Sequence, residues 1–311
     1  MEIEQVLPEL REPMKRAQVS LPRWLVRPLV KMMPVPKSTA VRVRTTKVGS
    51  VRLRIYEPVG ARSGAGLLWI HGGGLLFGDA RQDETLCLST AERLGIVIVS
   101  ANYRFAPEHP FPAAHQDALS GWRWFLQHAP ELGVEPARIA VGGESAGAGL
   151  AAALVQRIHD DGGTQPCAQW LFAPMLDDRT AARRDLDADE HFVWSNRQNR
   201  EGWSGYLGAP AGSTEAPTYS VPARRLDLTG LPPAYLTWAD LELFAEEDSA
   251  YADALRAAGV PVAIDVVQGG VHGFENWAND TAVARDLIER AQAWLRSGTT
   301  AQESRRGIRS Q

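Results

Sequence analysis

The chain has 311 residues, which is more than one average domain and barely two, so its length allows two ordinary domains or one large domain with an insertion. The composition is 44% apolar and 23% charged, the ordinary globular balance, which excludes collagen-like, coiled-coil and wholly disordered chains. The 33 Lys and Arg residues face 37 Asp and Glu residues, and the net charge of -4 argues against nucleic acid as a partner.

Targeting signals are not visible in the sequence. The two cysteines, Cys87 and Cys167, lie far apart, which argues against a disulfide framework and fits a reducing, cytoplasmic location. Residues 1–4 lack the positive and apolar regions of a secretory signal, and no apolar run approaches the ~20 residues of a membrane span, so we expect no stable membrane anchor. The stretch 21–33 mixes apolar and basic residues that could touch a membrane surface, but its prolines and shortness favour a lid-like or packed segment.

The predicted elements alternate between strands and helices. Two strictly alternating runs at 41–48 and 51–58, separated by Gly49-Ser50, predict an antiparallel hairpin. Continuous apolar runs, most of them typical of strands buried on both faces, follow at 66–70, 96–101, 138–142, 167–173, 234–239 and 262–267. Helical patterns lie between them at about 80–94, 112–128, 145–160, 246–258 and 279–296. The sequence therefore predicts an α/β fold with an eight-stranded, mostly parallel sheet flanked by helices.

One interval, residues 177–225, breaks this alternation, because it has many charges, several aromatic residues and no clear strand. We interpret it as an insertion into a core formed by residues 40–176 and 226–297. Together with residues 1–39, it is predicted to form a discontinuous helical cap over the sheet. Residues 298–311 are predicted to be a polar tail.

The segment Gly143-Glu144-Ser145-Ala146-Gly147 lies between the strand at 138–142 and an Ala-rich helix. A G-x-S-x-G sequence at a strand-to-helix turn is typical of a nucleophile elbow, where a strained turn holds the serine hydroxyl above the sheet. The run from Gly147 to Ala152 also matches a dinucleotide-binding loop. Its glycines begin inside the helix and the expected acidic residue is missing, which argues against that reading. A simple tight turn remains the alternative.

A second glycine-rich segment, His71-Gly72-Gly73-Gly74, directly follows the strand at 66–70. A loop in this place supplies oxyanion-hole amides in esterases, because glycines let backbone N–H groups point at a developing oxyanion. The amide of Ala146, the residue after the serine, is expected to join them.

The sequence resembles the hormone-sensitive-lipase-like family of α/β-hydrolases, which includes bacterial carboxylesterases with a His-Gly-Gly-Gly loop. The matching segments are HGGGLLFGD (71–79), SANYRFAPEHPFPAA (100–114), VGGESAGAGLAAAL (141–154), AYADALRAAGVPV (250–262) and GGVHGF (269–274). The resemblance implies an α/β-hydrolase fold in which Ser145 is the nucleophile, His272 the base, and Gly73, Gly74 and Ala146 the oxyanion donors. It also makes a homodimer plausible.

The base is indicated by the residues as well, since the expected chain order is serine, acid, histidine. Only His159, His191 and His272 follow Ser145, and only His272 follows a predicted strand within a glycine-rich loop. The acid departs from the family pattern, which has an aspartate. The family register falls on Glu242, which we favour. Asp240, at the strand end, is the alternative acid, and either carboxylate could orient the imidazole.

These residues predict a serine carboxylesterase that requires no cofactor and no metal. The predicted cap and the family resemblance imply that its substrates are short- to medium-chain acyl esters. Asp187, Asp189, Glu190 and His191 resemble a metal cluster only in composition, and a solvated cap surface is the better interpretation. An amidase, a lactone hydrolase and a non-catalytic ligand-binding protein on the same scaffold are the alternatives. Candidates for an apolar acyl pocket are Phe77, Phe192, Trp194, Trp203 and Tyr206. Glu144 and Asp117 are expected to make structural hydrogen bonds.

Overall fold

The strands of the fold form where the apolar runs predict them. A computed structural model of the chain describes residues 2–17, 23–32, 34–188 and 191–300. Its strands are β1 (Val41–Val48), β2 (Val51–Pro58), β3 (Gly66–Ile70), β4 (Val97–Asn102), β5 (Ile139–Glu144), β6 (Gln169–Phe172), β7 (Ala234–Ala239) and β8 (Val262–Val267).

The strands form one eight-stranded sheet in the order β1-β2-β4-β3-β5-β6-β7-β8. β2 pairs antiparallel with both β1 and β4, and every other neighbouring pair is parallel. Ile70 at the end of β3 pairs with Gly143 near the end of β5, so the loops that follow these two strands leave the sheet side by side. Ligands bind at this carboxyl edge in open α/β sheets.

Helices connect the strands and cover both faces of the sheet. They are α1 (Pro8–Ala17), α2 (Arg23–Met32), α3 (Glu84–Leu94), α4 (Ala113–His128), α5 (Ala146–Asp161), α6 (Asp178–Ala182), α7 (Asn196–Leu207), α8 (Ala245–Ala257), α9 (Phe274–Trp277) and α10 (Ala282–Thr300). Separate apolar clusters, one including α4 and α5 and the other α3 and α10, fill the spaces between sheet and helices. The predicted fold class is confirmed.

Three details differ from the predicted pattern. Helix α10 continues to Thr300, into the segment 298–311 that was predicted to be a polar tail, and residues 301–311 lie outside the described residues. Helix α3 begins at Glu84 rather than near residue 80, because the preceding segment turns and buries Asp83 under Trp69, whose Nε1 donates to Asp83 Oδ2 at 2.6 Å. β8 is only partly buried, because it is the last strand of the sheet and has a partner on one side alone. An edge strand with one free side is less covered than a central strand.

Helix α1 packs against the loop that contains His272, although more than 250 residues separate the two in the sequence. Its Leu10 and Met14 are buried in a third apolar cluster with Val271 and Phe274, the residues on either side of His272-Gly273. The amide of Leu7 donates to the carbonyl oxygen of Gly269 at 2.8 Å. Within the described residues, no helix is long and apolar enough to cross a membrane.

Candidate active site

Ser145 stands at the turn between β5 and α5 in a strained backbone conformation, with φ 54° and ψ -123°. A non-glycine residue adopts this region at a cost of about 1–3 kcal/mol, and such strain concentrates at functional sites. The turn is possible because its neighbours lack side chains. A Cβ on Gly147 would lie 2.1 Å from the carbonyl oxygen of Ile70, and one on Gly143 would lie 2.6 Å from backbone atoms of Gly147.

The structure brings Ser145, His272 and Glu242 into one chain of contacts. His272 Nε2 lies 2.9 Å from Ser145 Oγ, and His272 Nδ1 is hydrogen-bonded to Glu242 Oε2. A carboxylate accepts a hydrogen bond from Nδ1–H, which leaves Nε2 free to accept a hydrogen bond from the serine hydroxyl. The second oxygen of Glu242 accepts the amide of Ala239 at 2.7 Å. All three side chains are buried, so the contacts are shielded from water.

Asp240 lies apart from this chain of contacts. Its Oδ1 accepts the amide of Gly269 at 2.6 Å, which ties the end of β7 to the loop after β8. The imidazole of His272 is held by the ring of Phe244 at 5.2 Å, and Trp277 Nε1 donates to the His272 carbonyl oxygen at 3.0 Å. The structure therefore places Glu242, not Asp240, against the histidine.

Two glycines of the loop after β3, Gly73 and Gly74, line the same cleft as Ser145. Gly73 has φ 117° and Gly74 has φ 59°, and a Cβ on Gly73 would lie 2.0 Å from the carbonyl oxygen of Phe77. Within the described part of the chain, the amides of Gly73, Gly74 and Ala146 donate no hydrogen bond to the protein. Free N–H groups around a serine hydroxyl are the parts of an oxyanion hole.

His71 packs against the glycine loop and stabilises its conformation. It is fully buried and stacks on Tyr103 with ring centroids 4.5 Å apart, and its Nδ1 lies 2.8 Å from the carbonyl oxygen of Gly72. A carbonyl only accepts hydrogen bonds, so Nδ1 carries the proton. Burial lowers the pKa of His71 to about 4, so the ring is neutral near pH 7. Its role is therefore to shape the loop.

A cleft of about 590 Å³ opens above Ser145, within the range of small-molecule sites. Of the five aromatic candidates, Phe77 and Trp194 line the cleft. Trp203 and Tyr206 are instead buried in the apolar core, and Phe192 packs beside the cluster that contains Val271. Further lining residues from the two predicted cap segments are Ala17, Val26, His191, Val193, Arg197 and Gln198.

A buried polar network behind Ser145 was not predicted. Asn276 Nδ2 donates to Asp83 Oδ1 at 2.6 Å and to Glu144 Oε2 at 2.7 Å. Asn276 therefore joins the histidine loop to the residue that precedes the nucleophile. The only sequence signal was its position four residues after His272, one helical turn on. Glu144 and Asp117 both form hydrogen bonds of the expected structural kind, Glu144 with Asn276 and Asp117 with the backbone and side chain of Arg104.

Burial raises the pKa of Asp83 to about 6, and burial together with the carboxyl of Asp83 raises the pKa of Glu144 well above its usual range. Both effects favour the protonated, neutral form of Glu144. A carboxylate at this position would repel an oxyanion that forms beside Ser145. A neutral carboxyl keeps the hydrogen bond to Asn276 without that repulsion.

Metal ligands are not grouped in the described residues, where no set of three or more His, Cys, Asp or Glu side chains is arranged to hold an ion. Asp187 accepts hydrogen bonds from Arg200 and Asn196, and His191 lines the cleft. Asp189 and Glu190 lie outside the described residues.

Comparisons with known proteins match most of the chain. A family model described as alpha/beta hydrolase fold matches residues 67–276. The esterase LipI of Mycobacterium tuberculosis (strain ATCC 25618 / H37Rv) is 33% identical over 252 residues, covering 80% of this chain and 78% of that protein. The ethyl acetate hydrolase of Pseudomonas putida is 33% identical over 252 residues, covering 74% of this chain and 73% of that protein.

Among solved structures, a bacterial heroin esterase aligns with a TM-score of 0.86 and 31% identity, covering 96% of this chain and 99% of that chain. The family model spans β3 to α9, so it includes the serine turn and the histidine loop, while β1 and β2 lie before it. The chain therefore belongs to the hormone-sensitive-lipase-like family of bacterial carboxylesterases within the α/β-hydrolase superfamily.

Proposed function

We propose that this chain is a serine carboxylesterase that hydrolyses short- to medium-chain acyl esters through an acyl-enzyme. The observation that carries the proposal is the contact series from Ser145 through His272 to Glu242, in which Ser145 and His272 line a cleft. The family to which the chain belongs supplies the reaction class, and the geometry supplies a role for each residue.

In the acylation step, Ser145 Oγ attacks the ester carbonyl carbon while its proton moves to His272 Nε2. The carboxylate of Glu242 stabilises the imidazolium that forms. Negative charge develops on the carbonyl oxygen, and the amides of Gly73, Gly74 and Ala146 donate to it. Removing one such donor typically costs about 10²–10³ in rate. The tetrahedral intermediate then expels the alcohol, which takes the proton from His272.

In the deacylation step, His272 removes a proton from water, and the resulting hydroxide attacks the acyl carbonyl carbon. The same amides hold the second oxyanion. Collapse of this intermediate breaks the bond to Ser145 Oγ, which regains a proton from His272. The acid leaves and the enzyme returns to its starting state, so the cycle balances with water as the only co-reactant and without a cofactor or a metal.

The proposal includes a cap formed by residues 1–39 and 177–225 over the core 40–176 and 226–297. Support comes from the cleft, which these segments line with Val26, Val193 and Trp194 among others. Helix α7 also approaches the oxyanion loop so closely that a Cβ on Gly202 would lie 2.6 Å from the carbonyl oxygen of Gly74. A cleft of this volume, with Phe77 and Trp194 in its wall, favours acyl chains of limited length.

The test is hydrolysis of p-nitrophenyl esters from acetate to palmitate, beside matched amides and lactones. We expect activity that peaks at short to medium chains and falls for palmitate. Ser145→Ala should lower kcat/KM at least a thousandfold. Ser120→Ala, on the surface of α4, is the control and should retain full activity.

Labelling by a fluorophosphonate gives a second readout, and we expect one mole bound per mole of chain in the parent and none in Ser145→Ala. Full activity in Ser145→Ala would exclude the mechanism. Faster turnover of amides or lactones than of every ester would reassign the substrate class. Tight ligand binding without turnover would indicate a binding protein on the same scaffold.

A further inference from the structure

Helix α2 carries an apolar stripe that faces solvent. Leu25, Leu29 and Met32 are 38%, 53% and 78% exposed. Their spacing of four and three residues places them on one face of the helix. Single exposed apolar residues are ordinary, but three in one stripe on a ten-residue helix form a patch of the kind that marks an interaction site.

The opposite side of α2 is attached to the body of the protein. Val26 lines the cleft above Ser145. The guanidinium of Arg27 donates to the carbonyl oxygens of Leu76 at 2.9 Å and Ala106 at 3.1 Å, and to the carboxylate of Glu108 at 2.9 Å. The helix is therefore held with one side at the cleft and its apolar stripe outward.

The surroundings of α2 in the sequence are strongly basic. Residues 13–56 contain eleven of the 33 Lys and Arg residues and none of the 37 Asp and Glu residues, in a chain whose net charge is -4. Lys31 and Lys37 are exposed, and their side chains make no ion pair with any residue that the structure describes. Four of the arginines in this stretch are paired with acidic side chains: Arg27 with Glu108, Arg44 with Glu57, Arg52 with Asp79 and Arg54 with Glu84. The positive charge that accompanies the apolar stripe is therefore that of Lys31 and Lys37.

We propose that α2 docks the protein on anionic lipid surfaces, with Leu25, Leu29 and Met32 entering the boundary between headgroups and acyl chains. Exposed lysines beside an apolar helix face match the charge and polarity of such a surface. A second copy of this chain fits less well, because pairing two such faces brings two basic segments together. Docking through this helix sets the cleft, on the other side of Val26, next to the lipid.

The experiment is vesicle flotation with the full chain, using vesicles of phosphatidylcholine alone and of an equimolar mixture of phosphatidylcholine and phosphatidylglycerol. We expect binding to the mixed vesicles that weakens as salt is raised, and much weaker binding to phosphatidylcholine alone. Binding is measured without any substrate, so its outcome does not depend on the esterase proposal.

Two variants separate the apolar and ionic contributions. Leu29→Ser with Met32→Ser should weaken binding to the mixed vesicles by about tenfold. Lys31→Gln with Lys37→Gln should weaken it by roughly fivefold for each lysine. Leu226→Ser is the matched control, because Leu226 is fully exposed and lies outside α2, and it should bind like the parent.

Equal binding to both kinds of vesicle would overturn the proposal, as would parental binding in both α2 variants or an equal loss in Leu226→Ser. Sedimentation velocity tests the competing occupant. If the parent associates with itself, the Leu29→Ser, Met32→Ser variant does not, and neither binds vesicles, the stripe is an interface between copies and the lipid proposal is wrong.

Discussion

At the scale of single residues, the choice of acid in the proposed triad depends on two carboxylates two positions apart. Glu242 contacts His272 Nδ1, whereas Asp240 closes the loop after β8 through the amide of Gly269. We expect Glu242→Gln to lower kcat by about 10²–10⁴, because a neutral amide does not stabilise the imidazolium charge as a carboxylate does, and an amide NH₂ facing Nδ1 favours the wrong imidazole tautomer.

Asp240→Asn is the matched comparison. Its side-chain oxygen still accepts the Gly269 amide, so kcat should stay within about threefold of the parent and any loss should appear in thermal stability. Steady-state kinetics of both variants on one p-nitrophenyl ester decides the matter. A collapse of kcat in Asp240→Asn alone would assign the role to Asp240.

Glu144 gives a second prediction at this scale. Because burial and Asp83 raise its pKa well above the usual range, a neutral amide should replace it closely. Glu144→Gln should keep kcat/KM within about threefold near pH 7, since it still accepts from Asn276. In the parent, activity should fall at alkaline pH as Glu144 ionises beside the oxyanion site, and this fall should be weaker in Glu144→Gln.

The measurement is the dependence of kcat/KM on pH for the two proteins. Glu144→Ala is the comparison that removes the acceptor for Asn276, and it should lose activity at every pH. A large loss in Glu144→Gln at neutral pH would mean that the ionised carboxylate, not the protonated group, is required.

At the scale of elements, the serine turn depends on how closely β3 and α5 approach each other. A Cβ on Gly147 would lie 2.1 Å from the carbonyl oxygen of Ile70, a backbone atom that cannot move without disturbing the sheet. We expect Gly147→Ala to lower the free energy of unfolding by about 2–4 kcal/mol and to displace Ser145.

Gly60→Ala is the control, because nothing lies within 4 Å of a Cβ at that position. It should leave stability within about 0.5 kcal/mol of the parent. Urea unfolding followed by far-UV circular dichroism measures both. If Gly147→Ala has the same free energy of unfolding as the parent, β3 and α5 can move apart without loss of stability.

The strands were predictable because the pattern of apolar residues within each run shows whether that strand is buried on one face or on both. β7 and β8 even match the predicted bounds to the residue. Contacts between distant segments produce no pattern of this kind in either segment. The packing of Met14 against the histidine loop and the bridge from Asn276 to Asp83 join residues hundreds of positions apart, and neither side chain is unusual for its own segment. The acid of the proposed triad is an intermediate case. The family register pointed to Glu242, Asp240 at the strand end remained the alternative, and only the contact with His272 distinguishes the two.

At the scale of the whole molecule, buried carboxyls link stability to pH. Burial raises the pKa of Glu247 to about 8 and that of Glu275 to about 7. A carboxyl whose pKa is raised in the folded state binds a proton there that the unfolded chain has already lost. Its contribution to the free energy of unfolding is complete below about pH 4.5 and is lost as the pH rises to about 8. These groups therefore lower the free energy of unfolding at the alkaline end of this range.

Glu247→Gln tests this link. Glu247 Oε1 accepts the amides of Leu176 at 2.7 Å and Asp177 at 3.1 Å, and a glutamine oxygen can accept both. The free energy of unfolding of the parent should fall by on the order of 2–4 kcal/mol between pH 5 and pH 8, and less in Glu247→Gln. Urea unfolding at several pH values measures it, and exposed Glu246→Gln should keep the parental slope. Equal slopes in all three proteins would contradict the assignment.

The contact between α1 and the histidine loop also bears on how the chain matures on the ribosome. Leu7 is synthesised before its partner Gly269, which follows it by some 260 residues. Helix α1 therefore has no site to occupy until the loop that contains His272 has emerged. A segment translated early is placed only after one translated much later.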